Sequence, residues 1–295
     1  MDSHVVDRLR CPVCGEPLAE TNADTARALR CPRRHSFDIA RQGYVNLLAG
    51  RAPHVGDSAE MVAARADFLA AGHYDLVSTA LVEAATEAIA RIRTTTRGPA
   101  TSVDAYPLVV DAGAGTGRYL GAVLAALPDA VGLALDVSKP ALRRAARAHP
   151  RAAAALADTW QQLPLADAST AVLLNVFAPR NGPEFHRVLD PAGTLLVVTP
   201  AVDHLGELVG ALDLLRVAPD KADRVSGSLG GHFTPISSAE HRTELTLTRT
   251  EAATLVGMGP SAWHTEPAAL GARLAALPEP VRVTAAIRLD SYRPR

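Results

Sequence analysis

Cysteine, lysine and aromatic residues are scarce in this chain of 295 residues. The 3 cysteines fall within the first 31 positions, which excludes a scaffold stapled by disulfides along its length. Only Lys139 and Lys221 are lysines, so arginine supplies nearly all of the 30 basic side chains. Because 31 acidic residues bring the formal net charge to −1, any contact with nucleic acid has to come from a local cluster of cations.

Long apolar runs are missing as well. No segment reaches the roughly 18 apolar residues that indicate a membrane span. The first residues, Met-Asp-Ser-His-Val-Val-Asp, lack the basic region and apolar stretch of a secretory signal. We therefore expect a cytoplasmic protein without a membrane partner, with one large domain and a small accessory unit.

The cysteines form a metal-ligand pattern with one histidine, C-x2-C-x16-C-x3-H, made of Cys11, Cys14, Cys31 and His35. Tetrahedral zinc takes four such ligands from two short turns, and four protein ligands leave no open position for catalysis. A redox pair would account for Cys11 and Cys14 but not for the other two residues, and isolated core cysteines would not cluster. The pattern predicts a structural Zn²⁺ site.

Arginines surround this pattern. Arg8 and Arg10 precede the first pair of ligands, and four more lie around the second pair, namely Arg27, Arg30, Arg33 and Arg34. Such a cluster on a small rigid module can contact phosphates, or it can be a solvated face. The pattern leaves both interpretations open.

The hydrophobic pattern divides the chain into three parts. Residues 1–50 are the zinc-binding module, to which we assign RNA recognition. Residues 51–105 form a helical linker, in which Asp57 or Ser58 caps a first helix, a second runs over about 75–93, and 94–105 is a loop. Residues 106–295 alternate short apolar strands with helices, which predicts a parallel sheet covered on both faces. The predicted strands are 108–111, 131–136, 153–158, 171–176, 193–199 and, after a short strand at 245–248, 281–289, with helices at 118–127 and 139–149.

A glycine-rich loop follows the first of these strands. Gly113, Gly115 and Gly117 give the spacing G-x-G-x-G, whereas the dinucleotide fingerprint G-x-G-x-x-G would require glycine at Arg118. Asp111 before the loop would repel a pyrophosphate, but it suits the cationic methionine portion of S-adenosylmethionine (SAM). The loop therefore predicts a Rossmann-like α/β domain of the class I SAM-dependent methyltransferases.

Further polar residues end the next strands. Asp136 can accept hydrogen bonds from ribose hydroxyls, although a helix N-cap is its alternative role, and Asp158 can reach an adenine amino group. The fourth strand ends at Asn175 and Phe177, where the methyl acceptor belongs. Asn175 can hydrogen-bond a base edge, and Phe177 can stack on the base. Alternatively, Asn175 is a buried amide that ties a loop, and Phe177 is a ring in the core.

Several longer segments resemble the RlmA family of bacterial 23S rRNA guanine-N1 methyltransferases, and within it the TlrB-like branch associated with resistance to tylosin and other macrolides. The resemblance covers almost the whole chain. It lies in the zinc pattern and in the segments 35–48, 56–61, 71–74, 135–141, 175–181, 198–200 with 204–205, and 258–264.

The resemblance implies zinc at the four predicted ligands and SAM contacts at Tyr74, Thr116, Gly117 and His204, so that the helical linker contributes to the SAM site. It also implies a homodimer that binds 23S rRNA and methylates a guanine in a domain II hairpin (748-type position) lining the peptide exit tunnel. The tylosin branch implies macrolide resistance.

Two other functions compete with this one. A small-molecule methyltransferase of antibiotic biosynthesis would use the zinc module as a lid or for oligomerisation, and an RNA-binding regulator would carry a vestigial SAM fold. The intact glycine loop with Asp136 disfavours a vestige, and the arginine-flanked zinc module disfavours a small substrate.

Overall fold

The computed structural model describes residues 1–23, 26–50, 54–95, 106–214, 227–259 and 267–295. The predicted loop at 94–105 lies outside these ranges from residue 96 onward, as does the end of the 258–264 segment. None of the described helices is long and apolar enough to cross a lipid bilayer.

The zinc module begins with a short helix and continues as a three-stranded antiparallel sheet. Its elements are α1 (Ser3–Val6), β1 (Ala19–Ala23), β2 (Ala26–Arg30) and β3 (Ser36–Asp38). The next strand, β4 (Tyr44–Asn46), pairs in parallel with a strand of the large sheet. The segment predicted as a separate module, 1–50, thus supplies the edge strand of the second domain.

Two helices follow, α2 (Ala59–Ala70) and α3 (Asp75–Thr95). Ser58 caps α2, because its side-chain oxygen accepts a hydrogen bond from the Met61 amide at 3.3 Å. Gly72, with φ of 83°, follows the C-cap Ala71 and ends α2.

The large domain alternates strands and helices as the sequence predicts. In chain order it contains β5 (Leu108–Ala112), α4 (Arg118–Ala126), β6 (Val131–Asp136), α5 (Lys139–Ala145), β7 (Ala152–Leu156), β8 (Thr170–Val176), α6 (Gly182–Val188), β9 (Leu189–Pro200), α7 (Gly206–Leu212), β10 (Phe233–Leu247), α8 (Arg249–Gly257), α9 (Pro267–Ala275) and β11 (Val281–Pro294).

The eight strands are ordered β10-β11-β9-β8-β5-β6-β7-β4. β11 runs antiparallel to both of its neighbours, while the strands from β9 to β4 are parallel. The chain reverses its direction across the sheet between β5 and β8, and ligands bind at such a switch point, outside the carboxyl ends of the strands. This is the class I methyltransferase topology that the sequence predicts.

Four predicted boundaries are wrong, and one of them is the start of β9, which lies at Leu189 and not at 193. Helix α5 ends at Ala145 and not at 149. The backbone tightens there, because the amides of Arg147 and Ala148 donate hydrogen bonds to the carbonyls three positions earlier, those of Arg144 and Ala145. Strand β10 begins at Phe233 and not at 245, because it is exposed along most of its length and lacks an apolar signature. Strand β11 ends at Pro294 and not at 289, and its last residues pair with the first residues of β10.

Both faces of the sheet are buried, and the zinc module covers one of them. Val5, Leu9 and Leu29 of the module share one hydrophobic cluster with Val110 and Leu133 of the sheet. Fully burying an aliphatic side chain contributes about 1.5–3 kcal/mol. The module is therefore part of the fold of the second domain, while helices α2 to α5 cover the opposite face.

Candidate zinc centre and methyl-donor site

The four predicted zinc ligands converge. One ligand atom from each of Cys11, Cys14, Cys31 and His35 lies within 4.8 Å of the others. The His35 Nδ1 atom is 3.5 Å from the Cys11 Sγ atom and 3.4 Å from the Cys31 Sγ atom, and the Sγ atoms of Cys14 and Cys31 are 3.7 Å apart.

These spacings match the edges of a zinc tetrahedron. Bond lengths of about 2.3 Å to sulfur and 2.0–2.1 Å to nitrogen at tetrahedral angles give edges of about 3.8 Å between sulfurs and 3.6 Å between sulfur and nitrogen. A disulfide would bring two sulfurs to about 2.05 Å. The donor set and its geometry thus fit Zn²⁺.

Two tight turns present these ligands. The Gly15 amide donates to the Cys11 carbonyl at 2.8 Å, and Gly15 takes φ of 75°, where a side chain would be strained. In the second turn the Arg34 amide donates to the Cys31 carbonyl at 2.9 Å, and Arg34 has φ of 66°. Each turn aims its two ligands at one point.

A cavity of about 820 Å³ opens at the carboxyl ends of the central strands. Its lining includes Gly113, Gly115, Thr116, Asp136 and Asp158 from the predicted SAM site. Tyr74, Phe177 and His204 also line it, so the structure brings together residues that are more than a hundred positions apart. Gly117, Asp111 and Asn175 do not line the cavity.

The glycine loop combines positive φ angles with close packing. Gly113 has φ of 88°, and a Cβ atom there would lie 2.5 Å from the Cβ atom of Ala178. A Cβ atom on Gly117 would lie 2.8 Å from the Cα atom of Ala145, so Gly117 packs against α5 below the cavity. Gly115, with φ of 53°, faces the cavity, and the atom nearest to its Cβ position is Nη1 of Arg65 at 3.4 Å.

Asp136 fastens this loop. Its carboxylate accepts hydrogen bonds at 2.8 Å from the amides of Gly115 and Ser138. Burial raises its pKa, and these two bonds oppose that effect. Ser138 and not Asp136 is the N-cap of α5, which rules out the alternative role. A carboxylate has lone pairs beyond these two bonds, so Asp136 can still accept from ribose hydroxyls.

Asp111 lies below the loop with no hydrogen-bond partner for either carboxylate oxygen among the described residues. It is 1% exposed, and burial raises its pKa to about 8, helped by the nearby Asp136. A buried carboxylate without a partner is costly, and a cation bound above it would relieve that cost. This unpaired group fits the ammonium and sulfonium charges of SAM.

Asp158 has a partner that the sequence did not indicate. Its carboxylate lies 2.9 Å from the Nδ1 atom of His54 and accepts from the Trp160 amide at 3.0 Å. The rings of His54 and Trp160 stand 6.1 Å apart at the rim of the cavity. A contact of Asp158 with adenine would have to share the carboxylate with His54.

Tyr74, His204 and Phe177 form the wall at the other end of the cavity. The Tyr74 hydroxyl is 3.0 Å from Nε2 of His204, and the Phe177 ring lies 6.3 Å from the Tyr74 ring and 6.1 Å from the His204 ring. The Ala286 amide donates to Nδ1 of His204, so a neutral His204 carries its proton on Nε2 and donates it to Tyr74. Burial raises the pKa of Tyr74, which keeps its hydroxyl protonated.

Asn175 requires a correction. Its side chain is fully buried, and its amide nitrogen donates to the carbonyls of Ala112 and Pro179 at 3.2 and 2.8 Å. Both amide hydrogens are therefore used to tie the strand end to the following loop. We assign Asn175 to the support of that loop and not to the substrate.

Sequence reasoning missed Arg65 and His54 as cavity residues. Arg65 forms an ion pair with Asp57 and donates to the Met258 carbonyl at 2.7 Å, which links α2 to the end of α8. No local sequence motif reveals either residue, because the residues that surround them in the cavity are distant in sequence.

Comparison with known proteins agrees with this geometry. The zinc-ribbon family described as "RlmA, N-terminal" matches residues 9–52. A Streptomyces fradiae protein named 23S rRNA (guanine(748)-N(1))-methyltransferase is 47% identical over 294 residues, which cover 100% of this chain and 99% of the relative. A Micromonospora griseorubida protein, provisionally named 23S rRNA (guanine-N(1)-)-methyltransferase, is 68% identical over 295 residues and 100% of both chains. The chain therefore belongs to the RlmA family of 23S rRNA guanine-N1 methyltransferases, which joins an N-terminal zinc ribbon to a class I SAM-dependent fold.

Proposed function

We propose that this enzyme methylates the guanine at position 748 of 23S rRNA, in the domain II hairpin, and thereby protects the ribosome from tylosin-like macrolides. The observation that carries the proposal is the 47% identity, over the full length of both chains, to the Streptomyces fradiae protein named for guanine 748. The predicted tylosin branch of the family agrees with it. The enzyme works in the cytoplasm, where ribosomes are assembled.

The predicted parts of the chain have distinct roles in this proposal. Residues 1–50 bind RNA through the cations around the zinc ribbon, including the exposed Arg33 and Arg34. Residues 51–105 contribute Arg65 and Tyr74 to the cavity wall. Residues 106–295 hold SAM, and two copies of the chain form a homodimer whose groove takes the RNA.

Bound SAM supplies an electrophilic methyl group, and the chain orients it against the base. Gly113, Gly115 and Thr116 line the loop side of the cavity, and Asp136 lies at the tip of β6 for the ribose. Asp111 lies below the loop, and the positive charge of bound SAM would lower its raised pKa and favour the ionised carboxylate. The N1 atom of guanine lies on the Watson–Crick edge and carries a proton. The target base must therefore leave its pair and enter the cavity.

Phe177 is suited to hold that base. Its side chain is 41% exposed at the rim, next to Tyr74 and His204. Its backbone takes φ of 52°, and its amide donates to the Val198 carbonyl at 3.1 Å, so the ring is held away from the core.

The protonated Tyr74 hydroxyl, which accepts from His204, retains its own hydrogen for donation in the cavity.

Phe177→Ala should raise the KM for rRNA and lower kcat, while the SAM Kd stays within twofold of wild type. Stacking of a base on an aromatic ring is worth about 1–3 kcal/mol by alanine substitution, or roughly five- to 150-fold in kcat/KM. Single-turnover methylation of a domain II transcript measures the change. Phe177→Trp is the matched control and should retain most of the activity. Equal activity of Phe177→Ala and wild type would remove Phe177 from the substrate site.

Expression in a host that lacks the modification should produce a reverse-transcription stop at guanine 748, because methylated N1 blocks base pairing. The methyl group replaces a hydrogen-bond donor with apolar bulk at the drug-binding surface. An unpaired buried polar group costs about 1–3 kcal/mol, and each 1.4 kcal/mol is about tenfold in affinity. The minimum inhibitory concentration of tylosin should therefore rise about tenfold or more.

The control is a strain that expresses the Gly115→Val variant at the same level, which should show neither effect. A stop at another guanine would overturn the assignment of position 748. A stop at 748 with unchanged tylosin sensitivity would retain the target and reject the role in resistance.

A further inference from the structure

Helix α5 exposes a row of cations that neither the zinc ribbon nor the SAM cavity uses. Its buried face packs on the sheet through Ala141, Leu142 and Ala145. The opposite face carries the exposed side chains Lys139, Arg143, Arg144 and, in the tightened turn that follows, Arg147. At 1.5 Å per residue this row extends over about 12 Å.

A second segment extends the row. The turn between β3 and β4 closes through a bond from the Gly43 amide to the Ala40 carbonyl at 2.8 Å. A Cβ atom on Gly43 would lie 3.4 Å from the Cβ atom of Ala146, so this turn packs against the end of α5. It carries the exposed Arg41. We call the five cations, Arg41, Lys139, Arg143, Arg144 and Arg147, the α5 surface.

Within the described part of the chain, no member of the α5 surface forms an ion pair or a side-chain hydrogen bond. The segment 137–151 has no acidic residue that could provide one. Some exposed arginines elsewhere are neutralised, as Arg242 is by Asp203 and Glu240, and Arg282 by Glu244. Arg143 and Arg147 are four positions apart, and like charges at that spacing repel each other.

Stabilisation of the helix itself does not explain this arrangement. Arg143 and Arg144, in the last turn of α5, interact favourably with the negative end of the helix dipole. Lys139 lies at the positive end, where a cation is unfavourable, and Arg41 belongs to another segment. The five residues have in common a positive charge that is exposed to solvent.

The α5 surface also lies between two parts of the enzyme that face RNA. Lys139 borders a shallow pocket with Asp57 and Val137, and both of these residues also line the SAM cavity. At the other end, Arg41 follows directly on the zinc ribbon. An RNA strand that has its target base in the cavity can continue along this surface.

We propose that the α5 surface binds the phosphate backbone of the rRNA that flanks the target hairpin, so that the methyltransferase domain holds RNA beside the zinc ribbon. A row of exposed cations without base-reading side chains can bind phosphates whatever the base sequence. A second copy docked through the same surface about a two-fold axis would bring like charges together, which disfavours a dimer contact here. The inference rests on the proposed rRNA substrate but not on guanine 748.

The test is the salt dependence of binding between the full-length zinc-loaded protein and a domain II transcript of 23S rRNA. The triple variant Arg143→Ala/Arg144→Ala/Arg147→Ala should weaken binding roughly tenfold or more at 0.1 M KCl. The slope of log K against log salt should fall in magnitude by about 2, since each lost phosphate contact removes about 0.7–0.9. The Arg41→Glu variant changes a residue on the separate turn. It should also weaken binding and reduce the magnitude of the slope.

Three controls separate charge from folding. The triple arginine-to-lysine variant should keep the slope, and the Arg242→Ala/Arg282→Ala variant should match wild type. The SAM Kd from calorimetry and the mass from light scattering should not change in the triple alanine variant. An unchanged slope in that variant and in Arg41→Glu would overturn the proposal, as would a changed mass, which would assign the surface to a protein interface. If the slope falls in the triple alanine variant but expression of the wild-type enzyme gives no primer-extension stop at 748, the target assignment is rejected and the role of the α5 surface is retained.

Discussion

Cys31→Ser is expected to lose its zinc, to melt at a temperature about 10 °C lower than wild type, and to bind domain II rRNA at least tenfold more weakly. Coordination free energy at a structural zinc site is folding free energy, and in zinc-finger peptides it reaches about 10–16 kcal/mol. For domains of 150–250 residues each 1 kcal/mol corresponds to roughly 2–4 °C in Tm. Loss of only a few kcal/mol therefore produces the expected shift.

The structure extends this effect beyond the zinc ribbon. Cys31 is 6% exposed and belongs to the same buried cluster as Val110 and Leu133 of the central sheet. A disordered ribbon would uncover that face of the sheet, so the SAM domain should stay folded but lose stability. Calorimetric Tm, metal analysis and a filter-binding assay measure the three quantities.

Val13→Ser is the matched control, because Val13 lies between two ligands but is 62% exposed and binds no metal. This variant should keep one zinc ion per chain and a wild-type Tm. A chelated wild-type protein with unchanged Tm and RNA affinity would contradict the structural role of the metal.

Gly115→Val is expected to weaken SAM binding about ten- to a hundredfold and to abolish detectable methylation at ordinary SAM concentrations. The new side chain would project towards Arg65, in the cavity that the methionine tail of SAM requires. Forcing added volume into a packed site costs about 1–3 kcal/mol, which corresponds to this range of affinity. Isothermal calorimetry with SAM measures it directly.

Gly50→Val controls for backbone strain. Gly50 also has a positive φ, of 94°, but a Cβ atom there would have nothing within 4 Å. Both variants should lose some stability, and only Gly115→Val should lose SAM affinity. Equal SAM affinities for Gly115→Val and wild type would remove the glycine loop from the donor site.

Short-range patterns carried much of the information in this sequence. The zinc ligands lie in two turns of four and five residues, and each turn is a local structure that positions its ligands wherever it occurs. The strand-end residues Asp111, Asp136 and Asp158 were identified because a buried parallel strand is an apolar run whose end is visible in sequence. The predicted strand at 245–248 covered only the end of β10, since the exposed part of that strand has no apolar run.

The sequence by itself determined the zinc ribbon, the succession of strands and helices along the chain and the glycine loop, because each depends on residues close together in the chain. Tertiary structure alone decided which side chains reach the cavity. Asn175 turned inward to bond with Ala112 and Pro179, while His54 came from the linker to pair with Asp158. It also placed Arg41 beside α5 and made β4 part of the large sheet. These outcomes depend on contacts between distant segments, whose packing and hydrogen bonding become defined only when the whole chain has folded.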